Sequence, residues 1–189
     1  MPDMDFDFEL LNAKAADQLR ATALLVERAG KPSRTSWIIP FSDLSGSRLD
    51  QATDQISLAL GKKCRSLYTF RLSDECTPEK VREMIGHARE VNPGNRAYPR
   101  VNHVTAGRDS RCLYVGTSRK TATRIRQHLG AGNARTYALH LSWWATRLPG
   151  SVLLDIHEYG DDTPDEMLVV LEEQLARELN PVLGRRGSR

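Results

Sequence analysis

The chain reads as an α/β (α+β) fold, a small three-stranded central sheet flanked by helices, with an N-terminal helical extension. Three observations predict it. Short β-rich runs recur at Ser66-Leu67-Tyr68-Thr69-Phe70, at 111–116 and at Ser151–Tyr159. Amphipathic stretches between and after them carry helix punctuation: Thr77-Pro78-Glu79 at one start, Gly130 at one end, Asn180-Pro181 at another. The order from residue 65 is therefore β, an inserted α, β, α, α, β, α, and 189 residues suffice for a real core.

The elements follow in order. Residues 9–29 are expected to form an amphipathic helix with Leu11, Ala15, Leu19 and Val26 on roughly one face. Gly30 offers its end and Pro32 prevents continuation. Residues 31–46 read as a connector around an apolar knot, Trp37-Ile38-Ile39. A second helix is expected over 48–60, capped by Ser47, with Leu49, Ala52, Ile56 and Leu60 as its stripe and Gly61 beyond it. Residues 1–62 thus make the extension and 63–189 the main unit, with a helix and loop inserted at about 73–110. Val81, Met84, Ile85 and Ala88 give the inserted helix its apolar face. Residues 92–110 read as an exposed loop with a short strand at Pro99–Val104. After the strand at 111–116 come a helix over 119–129, a turn at Gly132-Asn133 and a helix over 134–147 containing Tyr137, Leu141 and Trp144. The strand Ser151–Tyr159 puts Val152, Leu154 and Ile156 on one face. Thr163 caps and Pro164 opens a last helix running to about Leu179.

Composition excludes several classes. The cysteines Cys64, Cys76 and Cys112 are odd in number and show no CxxC spacing, which argues against a disulfide framework and a thiolate zinc site. No apolar run approaches a membrane span, and the acidic start Met1–Asp7 lacks the apolar segment of a signal peptide, so a cytoplasmic protein is expected. The net charge of +3 is uneven: residues 1–60 hold 6 Lys/Arg against 9 Asp/Glu, and 61–189 hold 21 against 15. A basic C-terminal two-thirds is compatible with a polyanionic partner.

Chemistry concentrates in Cys112–His128, where a strand turns at Gly116 and Ser118 into a helix studded with Arg and Lys. Arg124 and His128 share one helical face, just beyond Tyr114. A phenol, a guanidinium and an imidazole around one strand-to-helix turn suit the handling of a phosphate. Singly, each residue has an ordinary role: tyrosines in half-buried strands usually pack, and Arg and His one turn apart usually form a solvated face. His87, His103, His140 and His157 have no ligand spacing. Trp143 and Trp144 are base-stacking candidates, but neighbours on a helix point apart, so at least one is expected in the core.

Ser66-Leu67-Tyr68 followed by Leu113-Tyr114-Val115-Gly116 resembles the paired motifs that name the GIY-YIG nucleases. The resemblance continues: Arg124 stands eight residues after the second motif's glycine, His128 one turn later, and Glu172 precedes Pro181 in an E-x-x-L segment. It covers about residues 64–189. Two departures stand out. Ser66 and Gly184 occupy places where the family commonly has glycine and asparagine, and the insertion separates Tyr68 from Tyr114 by 46 positions.

The resemblance implies a metal-dependent endonuclease acting on phosphodiester bonds, in DNA first of all. Arg124 would bind the phosphate, and Glu172 would hold Mg²⁺ or Mn²⁺, hard cations that accept few carboxylates and keep their waters. The water-activating base is one of Tyr68, Tyr114 and His128; a tyrosine is favoured, with His128 assisting or contacting phosphate. Arg119, Lys120 and Arg126, then Asn133 and Arg135, then Arg185 and Arg186 of the tail are the expected nucleic-acid contacts. The N-terminal helices are the place for a protein partner or a dimer contact. The competing expectation is a catalytically weak or inactive nucleic-acid-binding module with the same fold.

Overall fold

A computed structural model describes residues 7–60, 65–92, 94–102 and 110–184. The elements are α1 (Phe8–Glu27), β1 (Ser33–Pro40), α2 (Gly46–Ala59), β2 (Arg65–Leu72), α3 (Pro78–Val91), β3 (Cys112–Ser118), α4 (Thr121–Leu129), β4 (Ser151–Tyr159) and α5 (Asp165–Leu179). The fold is α+β, and its sheet is antiparallel throughout, in the order β1-β4-β2-β3.

The sheet has four strands where three were expected. The fourth is β1, inside the stretch read as a connector and a helical extension, and it pairs along its whole length with β4. Its alternation was hidden because its outward face is polar: Arg34 and Ser36 point away from the main core and bind Asp155 of β4. The apolar knot is split between the faces, with Ile39 buried and Ile38 72% exposed. Pro40 is tolerated because β1 is an edge strand.

The second correction concerns 134–147, expected as a helix. It folds as turns with a short 3₁₀ segment at Leu141–Trp143. The backbone there bonds to groups outside the segment: Ala138 N–H donates to the Ala97 carbonyl, Leu139 N–H to the His128 ring, and His140 takes a positive φ of 51°. Two details also shift. The cap of α2 is Ser45, and no residue of α1 is buried, so the stripe of Leu11 and Leu19 faces outward although α1 lies against α5. Of the strand read at Pro99–Val104, the described residues 99–102 form a single bridge, Val101 to Leu183; residues 103 and 104, with Gly61 and Cys64, lie outside the described residues.

The two faces of the sheet are covered differently. Tyr68, Phe70, Leu154 and Ile156 join Phe41, Ile56, Ile85, Ile125 and Leu129 in one large core. On the other face Leu67, Cys112 and Val115 pack under α5 through Ala176, Leu171, Leu175 and Leu179. Helix ends follow the expected chemistry: the Thr77 hydroxyl accepts from Lys80 N–H with Pro78 in the first turn, and Gly130 closes α4 at φ 114°. No helix among the described residues is long and apolar enough to cross a membrane.

Candidate active site

The register of β2 and β3 brings two distant tyrosines together. Tyr68 pairs with Gly116 and Phe70 with Tyr114, so both phenols rise from the same face. Their rings stack at 6.4 Å and 22°. Both sit close against Gly116: a Cβ there would stand 2.7 Å from the Tyr68 hydroxyl and 2.7 Å from Tyr114 Cε1. Only glycine fits between them. The insertion between the strands leaves this pairing intact.

Helix α4 supplies the other two groups. Its start is tied to β2 by the Ser66 hydroxyl, 2.8 Å from that of Thr121 and fully buried. Ser66 thus has a partner of its own. Arg124 donates to Gln127 Oε1 at 3.1 Å, and its charge acts on both phenols. His128 lies between the rings, its Nε2 3.0 Å from the Tyr68 hydroxyl. Its other nitrogen accepts the Leu139 N–H at 3.1 Å, so the proton sits on Nε2 and is donated to Tyr68.

That geometry removes His128 from the list of bases. Both its nitrogens are engaged, it is wholly buried, and burial, followed by the Arg124 and His140 charges, holds it well below the usual imidazole value. It is a neutral, oriented donor. It does not reach a surface where a phosphate would lie.

Glu172 arrives from the opposite face of the sheet, on α5. Thr117, the next residue along β3 after Gly116, donates its hydroxyl to Glu172 Oε2 at 2.5 Å. The Glu172 charge acts on both tyrosines and on Arg124 across the edge strand. Burial pushes the Glu172 carboxyl up, Thr117 and Arg124 opposing. Burial also pushes both phenols up, Tyr68 furthest, with Arg124 acting the other way. Burial is the leading cause for all three acids, and the Arg124 guanidinium opposes it in each.

Gly184 is explained in the same way. It closes the described chain at φ 114°, and a Cβ would press on Tyr114 at 3.1 Å. Its N–H donates to the Arg100 carbonyl, which belongs to the insert. Tyr137 completes this side by accepting the Arg100 N–H at 3.2 Å. Thr117, Gln127 and Tyr137 are neighbours that sequence reasoning missed; only the spacing of Thr117 beside Gly116 offered a signal.

The expected nucleic-acid residues divide. Lys120 and Arg126 are exposed on α4, and Arg135 is exposed at a turn held by Asn133, whose Oδ1 accepts the Arg135 N–H. Arg119 is committed to Asp165 at the start of α5. Arg185 and Arg186 lie outside the described residues. As for metals, no group of three or more His, Cys, Asp or Glu side chains comes together among the described residues. Comparison with protein-family models, curated proteins and solved structures returned no match.

Proposed function

We propose that the chain is a phosphodiesterase, with the Tyr68–Tyr114–Arg124–Glu172 cluster as its active site. Within that class we read it as a metal-dependent DNA endonuclease of the GIY-YIG type. One observation carries the reading: two phenols, a guanidinium and a carboxylate from β2, β3, α4 and α5 meet at one edge of the sheet.

In this reading Arg124 offers its forked donors to the phosphate oxygens, where charge grows in the transition state. One of the two tyrosines activates the water, with the Arg124 charge favouring the phenolate against burial. His128 positions the Tyr68 phenol through Nε2–H. Tyr114 is the less deeply buried of the two. Glu172 suits a single Mg²⁺, since a half-buried carboxylate whose charge is disfavoured gains from a cation, and a lone carboxylate fits an ion that keeps its waters. Such an ion would add positive charge at the site, lowering the phenol's pKa and stabilising the leaving oxygen.

The test is plasmid cleavage with Mg²⁺ or Mn²⁺. Glu172→Ala and Arg124→Ala are each expected to lower the rate on the order of 10²–10³-fold with the fold intact. Near-wild-type cleavage by both variants would sink the assignment. The rival reading, an inactive binding module, predicts salt-dependent DNA affinity and no cleavage with any divalent metal.

A further inference from the structure

A cavity of about 270 Å³ between α3 and the 140–148 turn is used by nothing described so far. Its walls include Ala88, Tyr98, Trp143 and Trp144, and His87 and Arg147 contribute polar groups. No carboxylate lines it among the described residues. The walls are pre-set. Trp144 is buried and donates its indole N–H to the Leu139 carbonyl at 2.8 Å, and Tyr98 packs edge-on against His140 at 5.7 Å. Trp143 differs, being 51% exposed, with the Arg96 guanidinium lying 3.2 Å from its ring centre. Trp143 lines the cavity and Arg96 does not.

We infer that this cavity takes one base of a single-stranded nucleic acid, stacked on Trp143, with the adjoining phosphates held by Arg147 and Arg96. Three features select that occupant. An exposed indole beside other aromatic walls favours a flat π-system. The lining carries cationic and neutral groups only, which suits a ligand with phosphate on either side. The volume is at the small end of ligand cavities, which run from roughly 300 to 1,000 Å³, so it suits a base and not a whole cofactor. The cavity wall is joined to the candidate active site through the packed interior: Tyr98 touches His140, His140 follows Leu139, and Leu139 N–H holds the His128 ring. This inference rests on the reading of the site as one acting on nucleic acid.

The test separates the two proposals. Binding of a labelled oligothymidylate, and of an abasic strand of equal length, is measured by anisotropy in EDTA, so that nothing is cut. Trp143→Ala is expected to weaken oligothymidylate binding about five- to hundredfold, the usual worth of one stacked base, while Trp143→Phe keeps most of it. The abasic strand is expected to bind wild type and Trp143→Ala alike. Equal oligothymidylate affinity in wild type and Trp143→Ala, or no preference of wild type for the base-bearing strand, overturns the base site. If Trp143→Ala proves unstable, Arg147→Glu at its exposed position takes over, and unchanged affinity there overturns it equally. Plasmid cleavage with Mg²⁺ is scored separately. Cleavage without Trp143-dependent binding removes the base site alone, whereas Trp143-dependent binding without cleavage supports it and removes the nuclease reading alone.

Discussion

The two faces of this sheet bury polar groups in opposite ways. On one face Tyr68, Tyr114 and His128 surround Arg124, with Glu172 across the edge strand. On the other, Asp155 of β4 accepts from Arg34 at 2.6 Å, Arg71 at 2.9 Å and Ser36 at 2.5 Å. Asp155 pairs with Thr69 and Ser36 in the register, so its side chain leaves the sheet opposite to Tyr68. Burial works to raise the Asp155 carboxyl, but Ser36 and the two arginines more than offset it and hold it low. Charge is satisfied there within the protein. In the tyrosine cluster burial prevails: it pushes Tyr68, Tyr114 and Glu172 toward their neutral forms, with the Arg124 guanidinium opposing. A buried carboxylate held ionised by its own partners suits a structural role. Acids with raised pKa values gathered beside a guanidinium mark a candidate site.

Four substitutions and one titration break or sharpen that contrast. The largest effect is expected from Arg124→Lys, which keeps the charge but loses the fork: cleavage falls about 10²-fold while the urea midpoint barely moves. Asp155→Ala is expected to do the reverse, costing about 2 kcal/mol of stability, below the 3–5 kcal/mol of a fully buried pair because both arginines are part-exposed. Cleavage by the protein that remains folded should be unchanged; a matching loss of rate would tie the two faces together. Gly116→Ala is expected to cost about 1–3 kcal/mol and to lower cleavage, since its Cβ drives the tyrosines apart.

Acid titration of stability separates the faces by pH. His128 is depressed in the folded protein, so the unfolded chain binds its proton more readily. Its contribution is present above about pH 6.5 and is lost as pH falls below that. Asp155 is also depressed, and its contribution fades only below about pH 4. Urea unfolding at successive pH values should therefore show two stages of loss, and Asp155→Asn should remove only the lower one. Persistence of both stages in that variant would assign the lower loss elsewhere. The smallest effect is expected from Lys120→Ala on α4, which should reduce the slope of log affinity against log salt by about one without changing sequence preference.

Much of the layout was legible because its signals are local. Thr77-Pro78 marks the start of α3 through a hydroxyl cap and a missing N–H, and Gly130 ends α4 through its left-handed φ. Val152, Leu154 and Ile156 announce β4 by period two, and their face is buried. What stayed hidden depends on partners far along the chain. Ser33–Pro40 has no apolar alternation of its own because Arg34 and Ser36 find their anion in Asp155, more than a hundred residues away. The 134–147 segment has helix-like spacing, yet its amides serve Ala97 and the His128 ring.

The chain by itself determined which residues are available for chemistry: Tyr68, Tyr114, Arg124, His128 and Glu172, each placed by strand or helix periodicity. Only the tertiary structure decided which groups each of them faces. Register put Tyr68 across from Gly116, where a side chain would have forced the phenols apart. The Leu139 amide turned His128 from a candidate base into a donor. The edge position of β3 let Glu172 approach from the other face beside Thr117. Residue identity is a local property, but protonation and reach depend on the groups packed nearby, and those are brought together only when the sheet closes.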